Sequence, residues 1–321
     1  MPPTRRRIAV TLGDPRGIGP EVIAQALAAP LDADLTVIGA DDQITAFPAV
    51  RKVGVGVWGR GKGEEGRVGV DSTHPPSTFP LPELAGQIAG RSVEEAVRLA
   101  IAGEIDAIVT GPVHKHALHL AGYRYPGLTE FLSHLTGGTE VAMMLATGTL
   151  RVVLVTTHLP LRDVPREVTT ERTVRIGRIT EAGLRRWWGI ARPRLALCAL
   201  NPHAGESGLF GDEDERVLRP AAEALGAAGP FPADTVFVRA LRGEFDAVLA
   251  PYHDVGMTAI KVAGFGKGVN VTLGLPFPRV SPDHGTAFDI AGKGIADAGS
   301  MRAALELAVE LAGRSTATPG R

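Results

Sequence analysis

Three times this chain runs an apolar stretch of strand length almost directly into a histidine: VVLVTTH ending at His158, LALCALNPH ending at His203 and DAVLAPYH ending at His253. Short, continuous apolar runs bounded by turn residues read as buried strands. The histidines stand 45 and 50 residues apart (158 to 203, 203 to 253), about one or two strand–helix units. The chain therefore reads as α/β, and in open α/β sheets ligands gather outside the carboxyl ends of the strands. Three imidazoles delivered there are sensible ligands for a divalent metal with positions left for substrate. Each one singly could equally be a hydrogen-bonded loop residue.

The last of these histidines opens a stretch rich in chemistry, from Pro251 to Gly292. Lys261, Asn270 and Arg279 follow it at intervals of nine residues. A planar fork, a point charge and a neutral amide suit a phosphate or carboxylate. Gly264, Gly266 and Gly268 lie among them, and closely spaced glycines let a backbone approach an anion or nucleotide, so they are candidates for cofactor binding. Asp254, beside His253, is a candidate for proton transfer or for orienting the imidazole, and Lys115 is a second proton-transfer candidate.

Elsewhere the chain alternates strands and helices. Residues 7–12 form a strand that empties into GDPRGIGPE (13–21) and an alanine-rich helix through Ala29, the first half of a βαβ unit. That turn either holds a ligand at the helix N-terminus or is the tight connection the geometry requires. Residues 34–39 are the next strand. Gly54-Val55-Gly56-Val57-Trp58-Gly59 matches the dinucleotide fingerprint in spelling only, because the glycine and charge mixture after it cannot be the required helix. A proline-rich connector over 72–82 precedes a helix over 90–102, with Val93, Ala96, Val97 and Ala100 on one face, and a strand over 106–110. His114, His116 and His119 read as surface residues. A helix begins near Leu128, where Thr129 either caps it or meets a ligand. Residues 141–146 are apolar, 170–188 form the clearest helix, and a glycine and acid-rich loop (208–215) leads into a helix through about Ala228.

With 34 basic and 35 acidic residues, the net charge of −1 gives no footprint for nucleic acid or an anionic membrane. No apolar run reaches membrane-span length and the N-terminus lacks a signal-peptide core, which points to the cytoplasm. The one cysteine, Cys198, sits in an apolar run and reads as core packing.

Taken together, GDPRGIGPE, TGPVHK, PGLTEF, MMLAT, TTHLPLRDV, LNPHAGE, PYHDVGM, GFGKGVNVTLGLPF and DHGTAFDIAG resemble the 4-hydroxythreonine-4-phosphate dehydrogenase family of vitamin B6 (pyridoxine) biosynthesis, nearly end to end. The resemblance implies a two-domain α/β/α fold like isocitrate and isopropylmalate dehydrogenases, which bind NAD or NADP without a Rossmann fingerprint. The first domain would comprise 1–125 and 282–321, and the second 126–281. It also implies a homodimer with a shared active site, in which His158 and His203 come from one subunit and His253 from the other. Thr129, Lys261, Asn270 and Arg279 carry over as substrate contacts. Members typically have His-Thr before Glu-Phe where this chain has Leu128-Thr129, so one substrate-contacting imidazole is missing.

The implied activity is oxidation of the secondary alcohol of 4-phosphohydroxy-L-threonine by NAD or NADP with a divalent metal (zinc, magnesium or cobalt). Decarboxylation of the β-keto acid then gives 3-amino-2-oxopropyl phosphate. Relatives oxidise threonate or erythronate phosphates or a dihydrodiol dicarboxylate. A phosphate acyltransferase of similar two-lobed fold and a non-catalytic metal-binding protein are the readings from other classes.

Overall fold

A computed structural model describes residues 5–47, 50–56, 81–264 and 266–315. In chain order the elements are β1 (Arg6–Thr11), α1 (Gly19–Leu27), β2 (Ala33–Gly39), α2 (Asp41–Ile44), β3 (Arg51–Gly54), α3 (Pro82–Ile101), β4 (Ala107–Thr110), α4 (Lys115–Leu120) and α5 (Leu128–Leu135). There follow β5 (Ala142–Thr147), β6 (Leu150–Leu154), α6 (Val164–Glu167), α7 (Thr170–Trp188), β7 (Leu195–Cys198), α8 (Arg219–Leu225), β8 (Ala228–Phe231), α9 (Ala233–Leu241), β9 (Ala247–Ala250), α10 (His253–Gly264) and β10 (Val269–Leu273). The chain ends with β11 (Arg279–Pro282) and α11 (Gly299–Ser315).

The chain divides into two compact units, Met1–Gly138 with Pro276–Arg321, and Thr139–Leu275. Thr129 and Arg279 lie in the first unit.

In the first unit the strands run in the order β3-β2-β1-β4-β11, and every pair is parallel. Ile8, Ala9, Val10, Val37, Ile38, Ile108 and Val109 are fully buried. This explains why the strands read as continuous apolar runs instead of alternating ones. The chain steps outward from β1 to β2 and β3, then returns to the other side of β1 as β4. This places a topological switch point at the carboxyl ends of β1 and β4. Helix α3 starts at Pro82 instead of Gly90, with proline in its first turn. Its Val93, Ala96 and Val97 are buried as expected. The fingerprint-like glycines only partly lie among the described residues, and the connector over 72–80 lies outside them.

In the second unit the order is β10-β5-β6-β9-β7-β8. The β10–β5 and β5–β6 pairs are antiparallel, and the β6–β9, β9–β7 and β7–β8 pairs parallel. Helix α7 spans the residues its periodicity predicts. Thr169 caps it by accepting from the Arg172 amide at 3.1 Å, and Gly189 ends it in the left-handed region. The helix expected to run to about Ala228 stops at Leu225, because Gly226 turns left-handed there, and Ala228 instead begins β8. Cys198 is buried in the core, and burial pushes its thiol pKa up to about 12, as suits a packing residue.

Candidate active site

The exits of β6 and β9 explain how two distant histidines meet. The strands pair in parallel from Val152↔Val248 to Leu154↔Ala250. Beyond them the Val155 amide donates to the Ala250 carbonyl at 2.9 Å, and the Thr156 amide and hydroxyl both donate to the Pro251 carbonyl, at 3.2 and 2.7 Å. The two chains are therefore still joined when they reach their histidines. The rings of His158 and His253 stand with centroids 5.4 Å apart.

Asp254 Oδ1 lies 2.6 Å from His253 Nδ1. A carboxylate acceptor there places the proton on Nδ1 and leaves the Nε2 lone pair for a ligand. The two histidines line a cleft of about 120 Å³ with Thr157, Leu161, Tyr252 and Asp254. Burial raises the Tyr252 pKa, which keeps the phenol a proton donor.

His203 leaves the neighbouring strand, since β7 pairs with β9 on its other side. The three histidine-bearing strands are thus adjacent and parallel. Their rings do not all converge. Among the described residues no three His, Cys, Asp or Glu side chains come close enough together to hold an ion. The His203 ring instead faces Phe210 at 6.2 Å. Residues 203–207 all have positive φ, from 44° to 82°, and only Gly205 is a glycine. Left-handed backbone costs roughly 1–2 kcal/mol for each of the others, so this loop is held by its surroundings. The resemblance groups His158 with His203 in one subunit, whereas the pair standing together in this chain is His158 with His253.

The anion set is spread over both units. Arg279, on β11, is buried, and its Nη2 donates to Thr110 Oγ1 at 2.5 Å. Burial pushes its pKa down to about 10, so it stays charged near neutral pH. Thr129 is buried in the first turn of α5. It does not cap the helix, because Gly127 occupies that position with extended backbone. Lys115 opens α4, and its Cε lies 4.0 Å from where a Cβ on Gly127 would stand, so it reaches the segment carrying Leu128 and Thr129.

In the second unit, Lys261 is exposed on α10, eight residues beyond His253 and about 12 Å along the axis. Asn270 is half-buried on β10, opposite Leu145. The equal spacing of Lys261, Asn270 and Arg279 is not a spatial period, since the first is on a helix and the others are on strands.

Two of the three glycines proposed for the cofactor, Gly264 and Gly266, have local reasons. A Cβ on Gly264 would stand 2.9 Å from Thr147 Oγ1, so it lets α10 pack on β5, and Gly266 has φ +82° in a turn. The GDPRGIGPE turn is the tight connection: Cβ atoms on Gly13 and Gly19 would strike the Pro112 and Leu12 carbonyl oxygens.

A group that the sequence reading did not assemble surrounds the carboxyl ends of β1 and β4. Asp14, almost fully buried, accepts from Arg16 Nε and Nη2 at 3.0 and 2.7 Å. Arg16 in turn lies 5.1 Å over the Phe288 ring, and His114 meets the same ring edge-on at 5.1 Å. His114 is therefore half-buried instead of a surface residue, whereas His116 and His119 are exposed as expected. His114 Nδ1 and His284 Nε2 are buried with no hydrogen-bond partner among the described residues. Glu21 accepts from the Gly292 and Ala296 amides at 2.9 and 3.4 Å, tying down the segment after β11. The density of glycine and polar residues in DHGTAFDIAG was the available signal.

Comparison with known proteins places these features in context. The sequence profile of the family described as pyridoxal phosphate biosynthetic protein PdxA matches residues 61–308. A 4-hydroxythreonine-4-phosphate dehydrogenase of Beijerinckia indica is 45% identical, covering 95% of this chain and 94% of that protein. A D-threonate 4-phosphate dehydrogenase of Cupriavidus necator is 46% identical, covering 96% and 97%. The crystal structure of the 4-hydroxythreonine-4-phosphate dehydrogenase of Klebsiella pneumoniae matches with a TM-score of 0.81 and 38% identity, covering 97% of this chain and 99% of that one.

Proposed function

The chain belongs to the pyridoxal phosphate biosynthetic protein PdxA family, and on that premise we propose that it is an NAD(P)-dependent dehydrogenase of a phosphorylated hydroxy acid. The substrate is 4-phosphohydroxy-L-threonine. Its secondary alcohol is oxidised to give 2-amino-3-oxo-4-phosphooxybutanoate, and loss of CO2 yields 3-amino-2-oxopropyl phosphate. The observation that carries this reading is the His158–His253 pair at two neighbouring strand exits, with Asp254 fixing one ring.

The donor set fits a divalent cation such as zinc, cobalt or magnesium. Two imidazoles stand together, one with its tautomer set by a carboxylate. His203 supplies the third ligand in a site shared between two copies of the chain. Support for a homodimer comes from large apolar side chains left exposed on the histidine-bearing segments: Leu159, Leu161, Leu209, Phe210 and Val262. For the cofactor the candidate is the group around Phe288, where Arg16 lies over the ring, His114 meets it edge-on, and His114 Nδ1 is buried with no hydrogen-bond partner among the described residues. When bound, the cation supplies Lewis acidity toward the alcohol and the nicotinamide supplies a hydride acceptor.

The chain's own residues bind and orient. Arg279 and Thr129 in the first unit, and Lys261 and Asn270 in the second, are each suited to bind a phosphate or carboxylate group of the substrate. Asp254 holds the His253 ring in one orientation. Lys115, lying against Gly127 beside Thr129, is the candidate for proton transfer to or from the substrate. No helix among the described residues is long and apolar enough to cross a membrane.

A second substrate, D-threonate 4-phosphate, is favoured by Leu128, which replaces a substrate-contacting imidazole, and by the name of the Cupriavidus relative. The deciding experiment follows NAD(P)H formation from each phosphate with NAD+ or NADP+, before and after chelation. Metal-dependent turnover of 4-phosphohydroxy-L-threonine, lost in a folded His203→Ala variant, is the expected result. Full activity in a metal-free His203→Ala protein would refute the role given to the imidazoles.

A further inference from the structure

The loop that carries His203 is built around a carboxylate that touches neither histidine of the close pair. Leaving β7, the Ala199 amide still donates to the Phe231 carbonyl at 2.8 Å. The next two amides, Leu200 and Asn201, both donate to Asp214, at 2.7 and 3.0 Å. Asp214 is 1% exposed. The Asn201 side-chain amide donates to Glu213 Oε2 at 2.8 Å. Gly211 lies directly over that pair, because a Cβ there would stand 2.6 Å from Glu213 Oε2 and 2.8 Å from Asn201 Nδ2. Gly205 in turn has the Gly211 carbonyl 2.8 Å from its own Cβ position. The loop is thus closed at its base, residues 200–201 bound to 213–214, while 203–207 project from it.

Closure matters because His203 has φ 53° and ψ 27°, a conformation a histidine relaxes from when it is not held. The backbone conformation sets the direction of its ring. A buried carboxylate receiving two backbone amides is a charge-assisted anchor strong enough to do the holding. We propose that Asp214 is a positioning residue for His203, locking the base of the loop and so fixing where the imidazole is offered to the divalent ion. The inference rests on the metal reading above and adds the residue that sets its geometry.

The test is a double-mutant cycle on the intact enzyme, with Co2+ affinity measured by competition against a chelating dye. Asp214→Asn keeps the side-chain size but turns one acceptor into a donor facing a backbone N–H. In the His203 background it should weaken Co2+ binding about 10-fold or more, the scale of a lost outer-shell partner. In the His203→Ala background it should add nothing. Equal weakening in both backgrounds, or unchanged affinity in a folded Asp214→Asn protein, overturns the proposal. Unchanged affinity in His203→Ala removes the metal reading itself, and the two failures are told apart because that variant leaves Asp214 intact. Should Asp214→Asn not fold, Gly211→Ala disturbs the same staple through Asn201 and Glu213. The same background dependence is expected of it, and its absence overturns the proposal.

Discussion

Replacing Arg279 with methionine separates binding from stability, and the sizes of the effects follow from its surroundings. The guanidinium is 3% exposed and burial alone pushes its pKa from the ordinary arginine value down to about 10. That displacement corresponds to roughly 3 kcal/mol of lost preference for the charged form. Below about pH 10 the folded and unfolded chains both hold the proton, so the penalty is present in full near neutral pH and is relieved only as pH rises through that value. Methionine removes the penalty and gives up the 2.5 Å bond to Thr110, a charged hydrogen bond of about 1.5–3 kcal/mol. With that bond alone set against the penalty, the net change is between about zero and 1.5 kcal/mol in favour of the variant. Unliganded Arg279→Met should therefore melt where the unchanged chain does or up to roughly 5 °C higher. If the guanidinium grips the substrate's anion, the same variant loses about 2–4 kcal/mol of transition-state binding, roughly 30- to 1000-fold in kcat/KM. Differential scanning fluorimetry without ligands, beside initial rates of NAD(P)H formation, reads both. A melting temperature that falls well below that of the unchanged chain while kcat/KM is kept would refute the reasoning, making Arg279 a structural residue.

Further outcomes follow from other sites. Asp254→Ala frees the His253 ring and should weaken divalent-metal binding about 10–100-fold, measured by metal competition, with little change in melting temperature because Asp254 is largely exposed. Leu128→His introduces the imidazole that the family resemblance implies at this position and should raise kcat/KM for 4-phosphohydroxy-L-threonine relative to D-threonate 4-phosphate. An unchanged ratio would remove Leu128 from substrate choice. Thr169→Ala removes the cap of α7 and should cost about 1 kcal/mol in denaturant unfolding while leaving turnover alone, since the helix carries none of the site residues.

The sequence made the strands legible because they are buried on both faces and so lack polar interruptions. VVLV, LALC and AVLA read directly as β6, β7 and β9, each with its histidine just beyond the carboxyl end. The order β6-β9-β7 was not legible, because it depends on which strands pair across nearly a hundred residues. That order decides that His158 meets His253. Residues 228–231 (AGPF) carry turn residues, so β8 was hidden inside an expected helix. Asp214 is one of several acids in the glycine and acid-rich loop over 208–215. Its importance comes from burial and from two amides brought to it by the exit of β7, neither of which spacing reveals. Lys261, Asn270 and Arg279 were picked out by chemistry and equal spacing, but their spacing has no counterpart in three dimensions. Arg279 belongs to the first unit because the chain leaves the second just before β11.

The central claim, that imidazoles from His158, His203 and His253 surround one divalent ion, is tested most directly by X-ray absorption at the cobalt edge of the Co2+-loaded enzyme. The account predicts a first shell containing three imidazole nitrogens that loses one in each of His158→Ala, His203→Ala and His253→Ala. A shell of oxygen atoms only, unaltered in all three variants, would contradict it.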